Sequence, residues 1–211
     1  MTDDVRNCGS AGAHPSDCDI LEGYRRRARE KKRLPTEEER VLLAKAEPIR
    51  LLLLDVDGVL TDGRLYYSDE GIESKTFNTK DGLGIRLVQK SEVLTGIITA
   101  RQSRLVARRA EELGMDHIRQ GARNKLEELN SILTETGLKP YQVCYMGDDL
   151  IDLSLLTRVG LAACPADAVE SVKEVCHFIS RHPGGGGAVR ETCDLIVQAK
   201  GLYEQLVQQF L

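Results

Sequence analysis

The chain has 211 residues, 41% of them hydrophobic, which is enough for one buried core with an extension. Its formal net charge of -4 at pH 7 lacks the basic excess typical of nucleic-acid-binding proteins, so we expect no nucleic-acid partner. Any site for a phosphate group must therefore be built locally.

The six cysteines show no CxxC spacing, which favours reduced thiols in a cytoplasmic protein over a disulfide framework. The first thirty residues contain no apolar run of signal-peptide length, and no stretch approaches the roughly 18 apolar residues that span a bilayer. We therefore expect a soluble protein with no membrane partner.

Residues 1–47 form a predicted N-terminal extension, with the first nineteen disordered because they are polar and aperiodic. The basic run 25–33 is interpreted as a solvated helix face rather than a contact with nucleic acid or another anionic surface. Thr36 followed by Glu39 matches a capping box and predicts a short helix. A single domain is predicted over residues 48–211.

From Ile49 onward, short apolar runs alternate with amphipathic stretches, which predicts a parallel sheet with helices on both faces. The predicted strands are 49–54, 93–99, 141–146 and 160–164. The predicted helices are 80–90, 102–113, 124–136, 150–158, 167–174 and 187–200. The fold class is therefore α/β, a Rossmann-like doubly wound parallel sheet.

A β-rich segment interrupts this alternation between the first strand and the first helix. Its two short runs flank residues 68–71 (SDEG), and this pattern predicts a β-hairpin insertion. The hairpin could cover a site or pair with another subunit.

Polar side chains follow three of the predicted strands or open a helix, where ligands of open α/β sheets bind. They are Asp55, Asp57, Thr99, Arg101, Lys125, Asp148, Asp149 and Asp152. Each residue alone could be a helix cap or a solvated charge. Carboxylates at two strand ends, with a hydroxyl and a lysine at others, favour a catalytic site.

Phosphoryl transfer to a carboxylate is the chemistry that needs this set. Asp55 and Asp148, with a backbone carbonyl, suit Mg²⁺, and Asp55 can also be the nucleophile of an aspartyl-phosphate intermediate. Asp57 is then free to donate and accept protons. Thr99 and Lys125 supply a hydroxyl donor and a cation for the phosphoryl oxygens. A P-loop nucleotide hydrolase is disfavoured because no GxxxxGK[ST] motif is present.

At these residues the sequence resembles the haloacid dehalogenase-like superfamily, with its DxDGxxxT element, a hydroxyl, a lysine and GDDxxD in order. The resemblance implies that Asp55 is the nucleophile and Asp57 the acid/base, and that Thr99 and Lys125 contact phosphate. It also implies Mg²⁺ ligands from Asp55, Asp148 and the carbonyl of Asp57. Asp149 and Asp152 would lie near this centre.

A closer resemblance, over residues 47–200, is to the 3-deoxy-D-manno-octulosonate (Kdo) 8-phosphate phosphatase family. It implies a phosphorylated sugar acid as substrate, a hairpin in place of a large cap domain, and a role in supplying Kdo for lipopolysaccharide. It also implies a homotetramer with the hairpins at its centre and the C-terminal segment of one subunit closing a neighbouring site.

Three features depart from the family pattern. The family usually reads TGR where this chain has Thr99-Ala100-Arg101, and it usually carries a basic residue in the glycine run, which here is all glycine over residues 184–187. The N-terminal extension of 47 residues is also longer than the family pattern leads us to expect. The sugar carboxylate would then meet Arg101, Lys80 or Arg190, since a guanidinium matches a carboxylate bidentately. Lys80 and Arg190 could equally be ordinary surface charges. The glycine run itself is interpreted as a mobile flap or a simple loop.

Two alternatives stay open at this point. A related enzyme could act on a nonulosonate 9-phosphate, such as that of Kdn or N-acetylneuraminate, or accompany sialic-acid activation. A catalytically silent oligomerisation module is the more remote alternative, because both carboxylate pairs are intact.

Overall fold

The computed structural model describes residues 22–23 and 35–210, and the compact unit considered below runs from Glu37 to Phe210. The predictions of a disordered terminus and of a solvated basic run concern residues outside the described part. No helix in the described part is both long and apolar enough to cross a membrane.

Eight strands form two sheets. They are β1 (Leu51–Leu54), β2 (Tyr66–Tyr67), β3 (Glu73–Ser74), β4 (Leu94–Thr99), β5 (His117–Gln120), β6 (Val143–Met146), β7 (Leu161–Cys164) and β8 (Phe178–Ile179). Six of them form a parallel sheet in the order β5-β4-β1-β6-β7-β8. Strand β1 pairs with β4 on one side and β6 on the other, so the chain order reverses there. A crevice that can hold a ligand opens at such a point, beyond the carboxyl ends of the strands.

Helices cover both faces of the sheet. They are α1 (Glu37–Ala46), α2 (Thr79–Gln89), α3 (Arg104–Glu112), α4 (Lys125–Thr136), α5 (Leu153–Leu156), α6 (Glu170–Lys173), α7 (Ala188–Ala199) and α8 (Tyr203–Val207), with 3₁₀ turns at Pro140–Gln142, Leu150–Asp152 and Gln208–Phe210. One core cluster joins the sheet to α2 and α7 through Ile85 and Ile196, and the other joins it to α4 through Leu129 and Ile132. The predicted doubly wound α/β fold is confirmed.

Helix α1 packs with this domain. Ala46 is fully buried in the first core cluster, and Leu42 and Leu43 pack against it. Helix α1 therefore shares a hydrophobic core with the domain that the sequence predicts to begin at residue 48. The boundary itself stays a prediction.

The hairpin insertion is confirmed, since β2 and β3 pair antiparallel with Tyr66 opposite Ser74. Its turn closes at Gly71, whose φ of 76° is accessible to glycine at little cost, and the N–H of Gly71 donates to the carbonyl of Ser68 at 2.9 Å. The two tyrosines of β2 are exposed. No large cap domain interrupts the described chain.

Candidate active site

The site begins where β1 ends. The N–H of Asp55 continues the ladder of β1 by donating to the carbonyl of Met146 at 2.9 Å, and Asp55 is 4% exposed. A buried carboxylate is costly unless a charge or a hydrogen bond compensates it. The compensating group comes from another element.

Lys125, the first residue of α4, supplies that charge. Its Nζ lies 3.0 Å from Oδ1 of Asp55 and 2.6 Å from Oδ1 of Asp152. It also donates to the hydroxyl of Tyr145 at 3.1 Å. Burial opposes the charged amine, yet the carboxylates of Asp55 and Asp152 raise the pKa of Lys125 above its usual value. The lysine therefore remains a cation and fixes the position of Asp55.

Asp152 organises the loop after β6. Its Oδ1 accepts from the Tyr145 hydroxyl at 2.6 Å, and its Oδ2 accepts from the backbone N–H of Asp148 at 3.0 Å and of Asp149 at 3.2 Å. Asp149 caps the 3₁₀ turn by accepting from the N–H of Leu150 at 2.7 Å. Both oxygens of Asp152 are thus occupied, whereas the Asp148 carboxylate has no such partner among the described residues.

Three carboxylates face one another here. Oxygen atoms of Asp55, Asp148 and Asp152 lie within 4.8 Å of one another. Burial, partly offset by Lys125, raises the pKa of Asp55 to about 6, and burial together with the charge of Asp55 raises the pKa of Asp148 to about 7. Three carboxylates against one lysine leave negative charge that a divalent cation would neutralise. The oxygen donors fit Mg²⁺, with Asp55 and Asp148 better placed than Asp152 to hold it.

Gly58 makes room for Asp148. Its φ is 93°, and a Cβ atom there would lie 2.0 Å from Oδ2 of Asp148. The glycine of the DxDG element therefore lets the loop after β1 approach the loop after β6.

Asp57 is not a member of the three-carboxylate cluster, and its side chain makes ion pairs of its own. It pairs with Lys75 through Oδ1, and Nε of Arg101 lies 3.5 Å from its Oδ2. A metal contact from Asp57 through its backbone carbonyl is compatible with this arrangement, because the side chain is engaged elsewhere.

The two partners of Asp57 are connected to the hairpin: Lys75 directly follows β3, and Arg101, which follows β4, contacts hairpin residues. Nζ of Lys75 lies 3.6 Å from Oε1 of Glu73, and Nη2 of Arg101 lies 3.3 Å from the same oxygen. Nη2 of Arg101 also donates to the Tyr67 hydroxyl at 2.7 Å. A hydrogen bond from Ser103, together with Lys75 and Arg101, lowers the pKa of Glu73. This network ties the hairpin to the acid/base candidate.

Thr99 ends β4 beside β1, and its side chain is buried. Its hydroxyl accepts weakly from the N–H of Arg101 at 3.4 Å, and its carbonyl accepts from the N–H of Ala122 at 3.0 Å. The hydroxyl thus lies at the carboxyl edge of the sheet, as the sequence analysis expects.

The glycine run packs on the loop after β1. The N–H of Gly185 donates to the carbonyl of Val59 at 2.9 Å, and a Cβ at Gly184 would lie 1.9 Å from the carbonyl oxygen of Gly58. Such an approach requires glycine at residue 184. The loop is therefore part of the wall of the site.

Lys80 and Arg190 are not joined to the site carboxylates by any contact within the described residues. Lys80 is an exposed residue in the first turn of α2, and Nε of Arg190 pairs with Asp194 at 2.9 Å on its own helix. Their role in substrate binding stays a prediction.

The sequence analysis missed Lys75, Glu73 and Tyr145. Lys75 has a side chain only 1% exposed although it follows a polar hairpin strand, and Tyr145 reads as an ordinary core residue of β6. Only the presence of two charged residues at the hairpin base could have drawn attention to Lys75 and Glu73.

Comparisons with known proteins place this chain in a family. A family model described as haloacid dehalogenase-like hydrolase matches residues 117–190. A 3-deoxy-D-manno-octulosonate 8-phosphate phosphatase of Escherichia coli K12 is 44% identical over 164 residues, which cover 78% of this chain and 87% of the relative.

Two solved structures are similar as well. The 3-deoxy-D-manno-octulosonate 8-phosphate phosphatase of Moraxella catarrhalis, in complex with magnesium ion, phosphate ion and KDO, is 38% identical with a TM-score of 0.80, covering 81% of this chain and 98% of that one. The enzyme of the same name from Yersinia pestis is 43% identical with a TM-score of 0.76, covering 77% and 88%. The identity and the coverage together show that this chain belongs to the 3-deoxy-D-manno-octulosonate 8-phosphate phosphatase family of haloacid dehalogenase-like hydrolases.

Proposed function

We propose that this chain is a Mg²⁺-dependent phosphomonoesterase that hydrolyses 3-deoxy-D-manno-octulosonate 8-phosphate to Kdo and inorganic phosphate. The observation that carries the proposal is the cluster in which Lys125 contacts Asp55 beside Asp148 and Asp152. The relative solved with magnesium, phosphate and KDO supports the choice of metal and substrate.

In the first step an Oδ atom of Asp55 forms a bond to phosphorus, the bond from phosphorus to the sugar oxygen breaks, and Asp57 gives that oxygen a proton. In the second step water attacks the aspartyl phosphate, Asp57 accepts its proton, and the carboxylate of Asp55 is released. Lys125 keeps Asp55 oriented, and Thr99 donates to a phosphoryl oxygen.

The metal would be held by Asp55, Asp148 and the carbonyl of Asp57. When bound, Mg²⁺ supplies positive charge to the phosphoryl oxygens and offsets their repulsion with the carboxylates. Asp152 acts indirectly, because its two oxygens hold Lys125 and the backbone that carries Asp148.

Recognition of the sugar carboxylate is assigned to the cations beside Asp57. Lys75 follows the hairpin strand β3, and Arg101 in the loop after β4 contacts Glu73 of the hairpin. Arg101 is partly exposed, so a carboxylate entering from solvent can reach its guanidinium. Lys80 and Arg190 remain further candidates for this role.

A homotetramer built around the hairpin is also part of the proposal. The hairpin and its flanks expose large apolar side chains, namely Leu65, Tyr66, Tyr67 and Ile72 at 43–59%. Such a patch is typical of a protein interface. In the monomer the C-terminal turn contacts the residue that caps α2, because Nζ of Lys90 donates to Oε1 of Gln209 at 2.7 Å. Its reach to a neighbouring site stays a prediction, and sedimentation analysis would measure the oligomer.

A cytoplasmic location completes the proposal. The cysteines of the described residues, Cys144, Cys164, Cys176 and Cys193, are free thiols, and burial raises the pKa of Cys193 well above its usual value. Reduced cysteines without disulfide partners are typical of proteins in a reducing compartment.

The experiment measures phosphate release with and without Mg²⁺ from Kdo 8-phosphate, Kdn 9-phosphate, N-acetylneuraminate 9-phosphate and neutral hexose phosphates. We expect Mg²⁺-dependent release with preference for Kdo 8-phosphate. Asp55→Asn is the matched control, since it keeps the side-chain shape but removes the nucleophile, and it should have no turnover with an unchanged circular dichroism spectrum. Preference for a nonulosonate 9-phosphate would contradict the proposed substrate. Normal turnover by Asp55→Asn would contradict the proposed mechanism.

A further inference from the structure

A second cleft lies at the edge of the sheet opposite the carboxylates, near the amino ends of β1, β7 and β8. It has a volume of about 530 Å³, within the range of small-molecule sites. The exposed ring of Tyr141 and the partly exposed side chain of Val175 give the cleft its apolar surface, while Leu156 and Val159, which also border it, are buried in the core. The apolar residues provide a surface on which a hydrocarbon or aromatic body can pack.

Three basic side chains line the same cleft: Lys45, Arg158 and His177. Nη1 of Arg158 donates to the carbonyl of Ser154 at 2.8 Å and to the hydroxyl of Thr157 at 3.1 Å, both of which are uncharged. Within the described residues, no carboxylate lines the cleft and none pairs with Lys45 or Arg158. The positive charges are therefore unopposed.

The imidazole of His177 adds a hydrogen-bond donor. Its Nδ1 accepts from the N–H of Ala162 at 2.9 Å, so the neutral ring carries its proton on Nε2. Burial and the charge of Lys45 lower the pKa of His177, which keeps the ring neutral under ordinary conditions. A donor next to two cations is an arrangement that favours an anion.

We propose that this cleft binds a small organic anion with an apolar body. The acidic group lies between Lys45 and Arg158 and accepts from Nε2 of His177, while the body packs on Tyr141 and Val175. None of these residues takes part in the phosphatase chemistry, so the proposal is independent of the proposed function.

The test is calorimetric titration of the whole chain with naphthalene-2-sulfonate at low ionic strength, without phosphate or Mg²⁺, because phosphate would compete for the same cations. We expect a dissociation constant of about 1 mM or tighter. The neutral isostere naphthalene-2-sulfonamide should bind more weakly. Equal affinity for the two compounds, or no binding of the sulfonate, would overturn the proposal.

Variants locate the binding. Lys45→Gln and Arg158→Gln should each weaken sulfonate binding by about fivefold, the effect of one exposed charge, whereas Arg104→Gln, the same change on α3 outside the cleft, should not. In ¹⁵N-histidine-labelled protein, which contains four histidines, the His177 ring signals should move during titration. Unmoved His177 signals, or equal weakening by Arg104→Gln, would contradict the assignment.

Discussion

Replacing Lys125 by methionine removes the cation at the centre of the site while keeping an unbranched side chain of similar length. The lysine side chain is 4% exposed, and its amine lies 3.0 Å from Asp55 and 2.6 Å from Asp152. The variant therefore leaves a buried carboxylate cluster without its compensating charge.

The loss of stability follows from this burial. Breaking a buried ion pair from one side costs about 3–5 kcal/mol. In a domain of about 150–250 residues, each kcal/mol lowers the melting temperature by about 2–4 °C, so Lys125→Met should melt about 6–20 °C lower. Turnover should fall by about 10²- to 10³-fold, the effect of losing one donor that stabilises transition-state charge.

Differential scanning calorimetry at neutral pH without metal measures the change in melting temperature, and steady-state phosphate release measures the change in turnover. Lys139→Met, at an exposed lysine, is the control and should leave both unchanged. Added Mg²⁺ should restore more stability to Lys125→Met than to the unmodified chain, because it supplies the missing positive charge. A melting temperature within about 2 °C of the unmodified chain would refute the electrostatic argument, since that is the shift expected for a change below 1 kcal/mol.

Three further substitutions test other parts of the site. Asp57→Asn should slow turnover by about 10²- to 10⁴-fold without unfolding the protein, and a smaller loss in kcat would argue against its acid/base role. Lys75→Met should raise KM and lower the free energy of unfolding in urea by about 2–3 kcal/mol, which is less than for a fully buried ion pair because the partners of Lys75 are partly exposed. The control Lys80→Met, at an exposed lysine, should lower it by less than about 0.5 kcal/mol. Gly184→Ala should destabilise the domain by about 1–3 kcal/mol, because its Cβ would overlap the carbonyl of Gly58; unchanged urea unfolding would show that the loop moves freely.

The sequence predicted four of the six parallel strands because β1, β4, β6 and β7 are apolar runs, and burial on both faces of a sheet requires such runs. Strands β5 and β8 were missed. The first reads HIRQ and is half-buried, and the second has two residues, so neither carries a periodic signal. Edge strands are defined by their neighbours, which only the folded chain supplies.

The sequence also predicted that Asp55, Asp148 and Lys125 lie together, since polar residues directly after buried strands or at a helix start meet at one edge of a parallel sheet. It could not identify Lys75, which reaches Asp57 from 18 residues away because the hairpin folds over the strand end. Nor could it assign Asp152 its contact with Lys125. Local pattern thus determined the sheet and the chemistry at its edge, whereas the tertiary structure decided which charges compensate each carboxylate, because those pairs depend on how distant segments pack.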